Sequence, residues 1–170
     1  IALADPEAFF FALVGEVHWS SFGEDELLLR AFYRSPPSHV FIHEGYITDE
    51  RDYNSVVAAS DIIYAVYEGF NSSSNSLTKS AGLRRPILVS EGTLMGKRVL
   101  KSGLGATTKP SDPIKILDSI QALTVRPAES FCYDEYAQAH SIEQLKVVLV
   151  DAIGNWVCKD GHLSLLGEKK

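Results

Sequence analysis

The chain has 170 residues, with 45% hydrophobic and 22% charged side chains and a formal net charge of −6. This length is typical of one domain, and the apolar fraction is ample for a core. The acidic balance, with no run of Lys or Arg, argues against a nucleic-acid binder, because basic side chains supply most of the affinity for phosphate backbones.

Short apolar runs alternate with helical patterns along most of the chain. The strand-like runs are residues 9–15, 39–45, 61–67, 86–91 and 104–109. The helical patterns are residues 24–34, 48–60, 74–83, 95–103 and 111–123. Residues 129–153 indicate one or two further helices with an amphipathic pattern. Residues 154–170 have no firm period, so we treat them as a poorly defined C-terminal tail.

Local signals mark several of the expected helix ends. Thr93 is a plausible N-cap, since its hydroxyl can accept a hydrogen bond from the first turn. Ser111 or Asp112 before Pro113 is a strong helix start, because proline suits the first helical position. Gly103 follows a helical pattern and suits the left-handed conformation that ends many helices.

Five strand–helix repeats predict an α/β fold. Apolar runs without polar alternation are typical of parallel strands that are covered on both faces. We therefore expect a Rossmann-like, three-layer α/β/α domain over residues 1–153, with a parallel sheet of five or six strands. The right-handed crossover rule places strand 9–15 centrally and strand 61–67 towards one edge.

A run of small polar residues follows strand 61–67 at a position where such folds bind ligands. Ligands of open parallel sheets bind beyond the carboxyl ends of the strands. A helix that starts near Ser73 or Ser74 presents unpaired N–H groups and a positive dipole end there, which favours an anion. Asn75 adds donors, and Lys79 lies about one turn further along. The pattern predicts a phosphate or diphosphate site, although a plain helix cap would use the same residue types.

Other strand ends carry further candidate ligand contacts. Glu68 ends strand 61–67 and can accept hydrogen bonds from sugar hydroxyls. Tyr46 follows strand 39–45 and can stack on a base. The remaining candidates at strand ends are Gly15, Glu16, His18, Glu91 and Gly92.

The two cysteines, Cys132 and Cys158, form no CxxC pair. The histidines likewise lack acidic or cysteine partners at ligand spacing, so we expect no metal site. Two isolated thiols are typical of a reduced, cytoplasmic protein.

The order of these motifs resembles that of a large enzyme family. The segments DIIYAVYEGF, SAGLRRPILVSEG and MGKRVLKSGLGATTKPSDPIKILDSIQAL resemble the C-terminal half of GT-B glycosyltransferases of the group 1, or family 4-like, kind. Gly103, Leu104, Gly105 and Asp112 match that family's GLGxxxxxxD phrase. The likeness covers roughly residues 8–153, and it includes the turns VGEVHW and EGY.

The resemblance implies a donor-binding domain that holds a nucleotide-diphosphate sugar without a metal. The acceptor would be held by an N-terminal domain missing from this chain, which could also provide a peripheral membrane contact. The family's Arg after the first strand is replaced by Glu16, so the donor site would be rebuilt on Ser73, Ser74, Asn75 and Lys79. Two alternatives stay open: a non-catalytic carbohydrate-binding or assembly module, and a nucleotide-sugar epimerase on the same scaffold.

Overall fold

The structure is a computed structural model that describes residues 1, 3–72 and 74–160, with the backbone alone described for residues 155–160. The strands are β1 (Phe11–Gly15), β2 (Val40–Glu44), β3 (Ile63–Ala65), β4 (Ile87–Ser90) and β5 (Gly105–Thr108). The helices are α1 (Glu26–Arg34), α2 (Glu50–Ala59), α3 (Ser76–Leu83), α4 (Leu94–Ser102), α5 (Pro113–Thr124), α6 (Tyr133–Ala139) and α7 (Ile142–Asp160). The α/β class is confirmed.

The strands are parallel, as predicted, but they form two sheets and not one sheet of five or six strands. Within the described residues β1 pairs with β2 alone, while β3, β4 and β5 form a sheet with β4 in the middle. The central position expected for strand 9–15 is therefore wrong, and the edge position expected for strand 61–67 is confirmed.

Strand β3 is also shorter than predicted. The predicted strand 61–67 is reduced to Ile63–Ala65. Beyond it the Tyr67 carbonyl accepts a hydrogen bond from the Ser90 hydroxyl at 2.6 Å. The chain thus leaves the sheet two residues earlier than its apolar run indicates.

The core lies around β4, whose four residues are all buried. Ile87, Leu88 and Val89 have no accessible surface. Leu77 of α3 and Val99 of α4 belong to the same buried cluster. An unbroken apolar strand covered on both faces is what the sequence predicts for this segment.

Helix α2 connects β2 to β3 along the chain. It packs against α3, and the Arg85 guanidinium donates a hydrogen bond to the Ala58 carbonyl at 2.5 Å. The two-stranded sheet has few buried residues of its own, Val40 among them. A two-stranded sheet is marginally stable alone, and α2 follows this one directly in the chain.

The predicted helix ends are mostly confirmed. Thr93 caps α4 by accepting from the Gly96 N–H, and Gly103 ends that helix in the left-handed conformation. Asp112, rather than Ser111, caps α5, with Pro113 at the first helical position.

The C-terminal region forms the two helices expected over residues 129–153, but α7 continues to Asp160. Residues 154–160 are therefore helical and not irregular, while the rest of the expected tail lies outside the described residues. None of the described helices combines the length and apolar character needed to cross a membrane.

Candidate functional site

The carboxyl ends of β3 and β4 bring two of the predicted acids to one edge of the sheet. The strands are parallel neighbours in register, with Ala65 opposite Val89. Glu68 and Glu91, which follow these strands, are both exposed. The 2.6 Å hydrogen bond from Ser90 to the Tyr67 carbonyl ties the two loops together. This edge therefore presents two exposed carboxylates on loops that a hydrogen bond joins.

The start of α4 lies at the same edge and is held closely against the sheet. The Thr93 hydroxyl donates to the Ser90 carbonyl at 2.8 Å and accepts from the Gly96 N–H at 3.0 Å. Gly92 has a φ of 73°, a conformation that favours glycine. A glycine after Glu91 therefore lets the chain make this turn without strain.

Helix α3 begins later in the serine run than the sequence predicts. The helix starts at Ser76, and within the described part of the chain the Asn75 side chain caps none of its N–H groups. The Ser74 hydroxyl accepts from the Ser76 N–H at 3.2 Å and lies 2.8 Å from the Ser76 hydroxyl. Ser73 lies outside the described residues. One serine thus serves the helix start, while exposed Asn75 remains available to a ligand.

Lys79 faces α2. Its ammonium group donates to Glu50 at 2.5 Å and to Asn54 at 2.7 Å, and it lies 5.6 Å from the Tyr53 ring centroid. The Lys79 side chain is only 15% exposed. Its charge therefore links α3 to α2.

The carboxyl ends of β1 and β2 form a second polar edge. Gly15 has a φ of 142°, and its carbonyl accepts from the Gly45 N–H at 3.1 Å. Glu16 and His18 are exposed beyond this link, and Tyr46 is 77% exposed. The predicted residues of this edge are thus open to a ligand.

The structure contains a cluster of side chains around Trp19 that was not predicted from the sequence. Its indole N–H donates to Glu44 at 2.7 Å, and its ring meets Tyr33 edge-on at 5.0 Å. The Arg30 guanidinium lies 4.4 Å from the Trp19 ring centroid. Burial raises the pKa of Tyr33, and the nearby Glu44 carboxylate raises it further. The one sequence signal was a tryptophan directly after the first strand's turn.

This cluster holds the loop after β1 down onto the end of β2. An indole with a satisfied N–H and two aromatic or cationic neighbours keeps one orientation. The loop that carries Glu16 and His18 is therefore positioned by Trp19.

An open depression of about 380 Å³ lies between β2 and the start of α2. Its lining includes Val14, Phe41, His43, Tyr46, Asp52 and Val56. Apolar walls with an exposed tyrosine suit a flat ring, and the Asp52 carboxylate can accept hydrogen bonds from amino or hydroxyl groups. Tyr46 therefore belongs to this depression.

No three His, Cys, Asp or Glu side chains within the described residues are grouped to hold a metal ion. Comparison of the chain with protein-family models, with curated proteins and with solved structures finds no match.

Proposed function

We propose that this chain is the nucleotide-sugar-binding domain of a glycosyltransferase. The observation that carries the proposal is the edge of the three-stranded sheet, where Glu68, Glu91 and the starts of α3 and α4 follow adjacent parallel strands. This edge combines hydrogen-bond acceptors for a sugar with helix N-termini for a diphosphate. The motif order GLGxxxxxxD and its resemblance to GT-B enzymes supply the reaction class.

The proposed diphosphate contacts are backbone N–H groups and small polar side chains. The first N–H groups of an α-helix have no intrahelical partner, and the helix dipole favours an anion there. Ser74 and Asn75 precede α3, and Gly92 precedes the α4 cap without a side chain in the way. Because Lys79 bonds to side chains of α2, we assign the diphosphate contacts to these uncharged N–H and side-chain donors and not to Lys79.

The carboxylates of Glu68 and Glu91 belong on the sugar side of the ligand. Carboxylates repel a diphosphate but accept hydrogen bonds from sugar hydroxyls, and such charge-assisted bonds are the stronger ones. The base would lie against Tyr46 in the depression beside β2. The chemical step would be glycosyl transfer without a metal, to an acceptor held by a second domain.

A non-catalytic sugar-binding module is the second candidate. Two observations favour it. Glu16 occupies the position at which GT-B glycosyltransferases have an arginine, and Lys79 forms an ion pair with Glu50. Preorganised positive charge stabilises a departing diphosphate in the transition state. A module lacking it would bind a nucleotide sugar without transferring the sugar.

Calorimetric titration with UDP, GDP and ADP and with their sugar derivatives tests the proposal. We expect one nucleotide family to bind, and Glu68→Gln and Glu91→Gln to weaken the sugar nucleotide by about ten-fold. The affinity for the corresponding nucleoside diphosphate should stay unchanged in both variants, because those carboxylates contact the sugar alone.

Glu143→Gln, at an exposed acid of α7, is the matched control and should bind like the wild type. Absence of binding for all of these ligands at millimolar concentration would refute the proposal. Because the acceptor is proposed to bind a second domain, turnover with a sugar acceptor separates the transferase from the non-catalytic module when it is measured on a protein that carries both domains.

A further inference from the structure

The depression beside β2 has a floor that the two-stranded sheet provides. Phe41 and His43 lie two residues apart in β2 and therefore on one face of the strand, and Val14 of β1 pairs with His43. Tyr46 and Val56 also line the depression. Its volume of about 380 Å³ is near the lower limit of the roughly 300–1,000 Å³ of ligand pockets. That size suits a single ring system better than a whole nucleotide sugar.

The charged groups of the depression are carboxylates. Asp49 and Asp52 line it, and no Lys or Arg does so within the described part of the chain. The Asp49 carboxylate accepts from the backbone N–H groups of Arg51 and Asp52, and so it caps α2. The Asp52 carboxylate is exposed and has no hydrogen bond or ion pair to another described residue. Asp52 is therefore an acceptor that is available to a ligand.

We propose that this depression selects guanine among the nucleobases, with the Asp52 carboxylate accepting from the N1–H and from the N2 amino group. The inference rests on the proposed function, which places the base of the sugar nucleotide here. An ionised carboxylate only accepts hydrogen bonds, and its two oxygens match two adjacent donors.

Guanine is the base that presents two adjacent donors on its Watson–Crick edge. Adenine and cytosine place an amino group beside an unprotonated ring nitrogen, and uracil places its N–H between two carbonyls. Each of these bases would therefore bring an acceptor against the Asp52 carboxylate. A site that leaves a polar group unpaired in this way discriminates strongly against the wrong ligand.

Other side chains of the depression suit the rest of the guanine ring. The Thr48 hydroxyl and the His43 ring line the same depression and can donate to the O6 oxygen. Tyr46 is 77% exposed and can stack on the face of the ring. Because every base can stack on a tyrosine, Tyr46 contributes affinity and Asp52 contributes the choice of base.

The depression lies close to the proposed diphosphate contacts. Asp52 is two residues from both Glu50 and Asn54, which is about 200° around the helix, so the depression and α3 lie on opposite sides of α2. Glu50 and Asn54 are the first and fifth residues of α2, and they bond to Lys79, the fourth residue of α3. The starts of the two helices are therefore close together. A nucleotide with its base against Asp52 would reach the start of α3 across the first turn of α2.

Calorimetric titration of the full chain with GDP, inosine diphosphate (IDP), UDP and ADP tests the selection. IDP differs from GDP only in lacking the N2 amino group. We expect GDP to bind the wild type at least about ten-fold more tightly than the other three, because each of them loses a charge-assisted hydrogen bond to Asp52. Tyr46→Ala should weaken GDP and IDP by the same factor, because stacking does not depend on the amino group.

Asp52→Asn should change the preferred base. An asparagine amide can accept from N1–H and donate to a carbonyl oxygen at C2, which xanthosine diphosphate has in place of the amino group. The variant should bind xanthosine diphosphate at least about ten-fold more tightly than GDP, a gain of affinity that misfolding cannot produce. Asp61→Asn, at an exposed acid beyond the other end of α2, is the matched control and should prefer GDP like the wild type.

Equal affinity of the wild type for GDP and IDP would overturn the guanine assignment, and so would a preference for GDP that persists in Asp52→Asn. Tighter binding of UDP or ADP than of GDP would overturn it but leave the proposed function in place. Selective GDP binding with no effect of Glu68→Gln or Glu91→Gln on the sugar nucleotide would support the guanine assignment and contradict the proposed sugar contacts. Absence of binding for every nucleotide would overturn both.

Discussion

Gly96 is the residue that lets α4 sit directly on the end of β4. A Cβ added there would lie 2.6 Å from the Ser90 carbonyl oxygen and 3.3 Å from the Thr107 methyl carbon. The carbonyl belongs to the backbone and cannot rotate away as a flexible side chain can. We therefore expect Gly96→Ala to lower the free energy of unfolding by about 1–3 kcal/mol, as overpacking does, measured by urea denaturation.

Gly82 in α3 is the matched control, because it is also a helical glycine but is exposed. Among the described residues nothing lies within 4 Å of a Cβ added there. Gly82→Ala should raise the free energy of unfolding by roughly 0.5–1 kcal/mol, since alanine restricts the unfolded chain and favours helix. Equal effects at both glycines would contradict the close approach of α4.

Lys79 gives a prediction at the scale of helix pairs. Because its ammonium group bonds to Glu50 and Asn54 of α2, Lys79→Ala should cost about 0.5–1 kcal/mol of stability, a value that allows for the exposure of Glu50. Glu50→Ala should cost less in the Lys79→Ala background than in the wild type. Thermal melts of the four proteins measure this coupling.

The same variant separates the two roles considered for Lys79. If it only joins helices, nucleoside diphosphate affinity should change by less than about two-fold in Lys79→Ala. A large loss of nucleoside diphosphate affinity in Lys79→Ala, with unchanged stability, would show that Lys79 contacts the diphosphate.

The α5 cap predicts a pH dependence. The Lys115 N–H donates to Asp112 at 3.1 Å, and this hydrogen bond is the main cause of the lowered pKa of Asp112; the Lys115 charge lowers it further. Because the pKa is lower in the folded state, the stabilisation is fully present above the unfolded pKa. It is lost as pH falls through the folded pKa.

Asp112→Asn keeps a good cap but removes the titration. The wild type should therefore melt above Asp112→Asn at about pH 7, and the difference should vanish towards about pH 2. Added salt should reduce it, because the site is exposed. A difference that grows as the pH falls would contradict the assigned direction.

Elements with local signals were predictable from the sequence. Proline at the first position of α5 and glycine after α4 each restrict the backbone by their own chemistry, so Pro113 and Gly103 mark helix ends without any partner. The apolar run of β4 likewise indicates burial on both faces. These signals lie within a few residues of the feature they specify.

Features that depend on distant partners were not predictable. The division into two sheets depends on which strand edges meet, and apolar runs carry no such information. Lys79 lies at helical spacing from the serine run, but its direction is set by Glu50 and Asn54, 29 and 25 residues away. The candidate site is therefore predictable as an edge of the sheet but not in its individual contacts.

At the scale of the whole molecule, the core is unevenly divided. The main buried cluster surrounds β3, β4 and β5, with contributions from α3 to α6. The β1–β2 sheet contributes few buried residues, such as Val40, and α2, which follows β2, packs against α3. Regions with little buried apolar surface open at lower free energy than the global unfolding.

This division predicts two levels of amide protection in hydrogen exchange followed by NMR. Leu88 and Val89 in β4 have no accessible surface, and their amides should exchange only on global unfolding. Leu13 in β1 and His43 in β2 should exchange at least about 100-fold faster, because local opening of a two-stranded sheet suffices. Arg85→Ala removes the hydrogen bond to Ala58 and should widen this gap by speeding exchange in β1 and β2 while leaving β4 protected. Equal protection of both sheets would instead mean that they unfold as one cooperative unit.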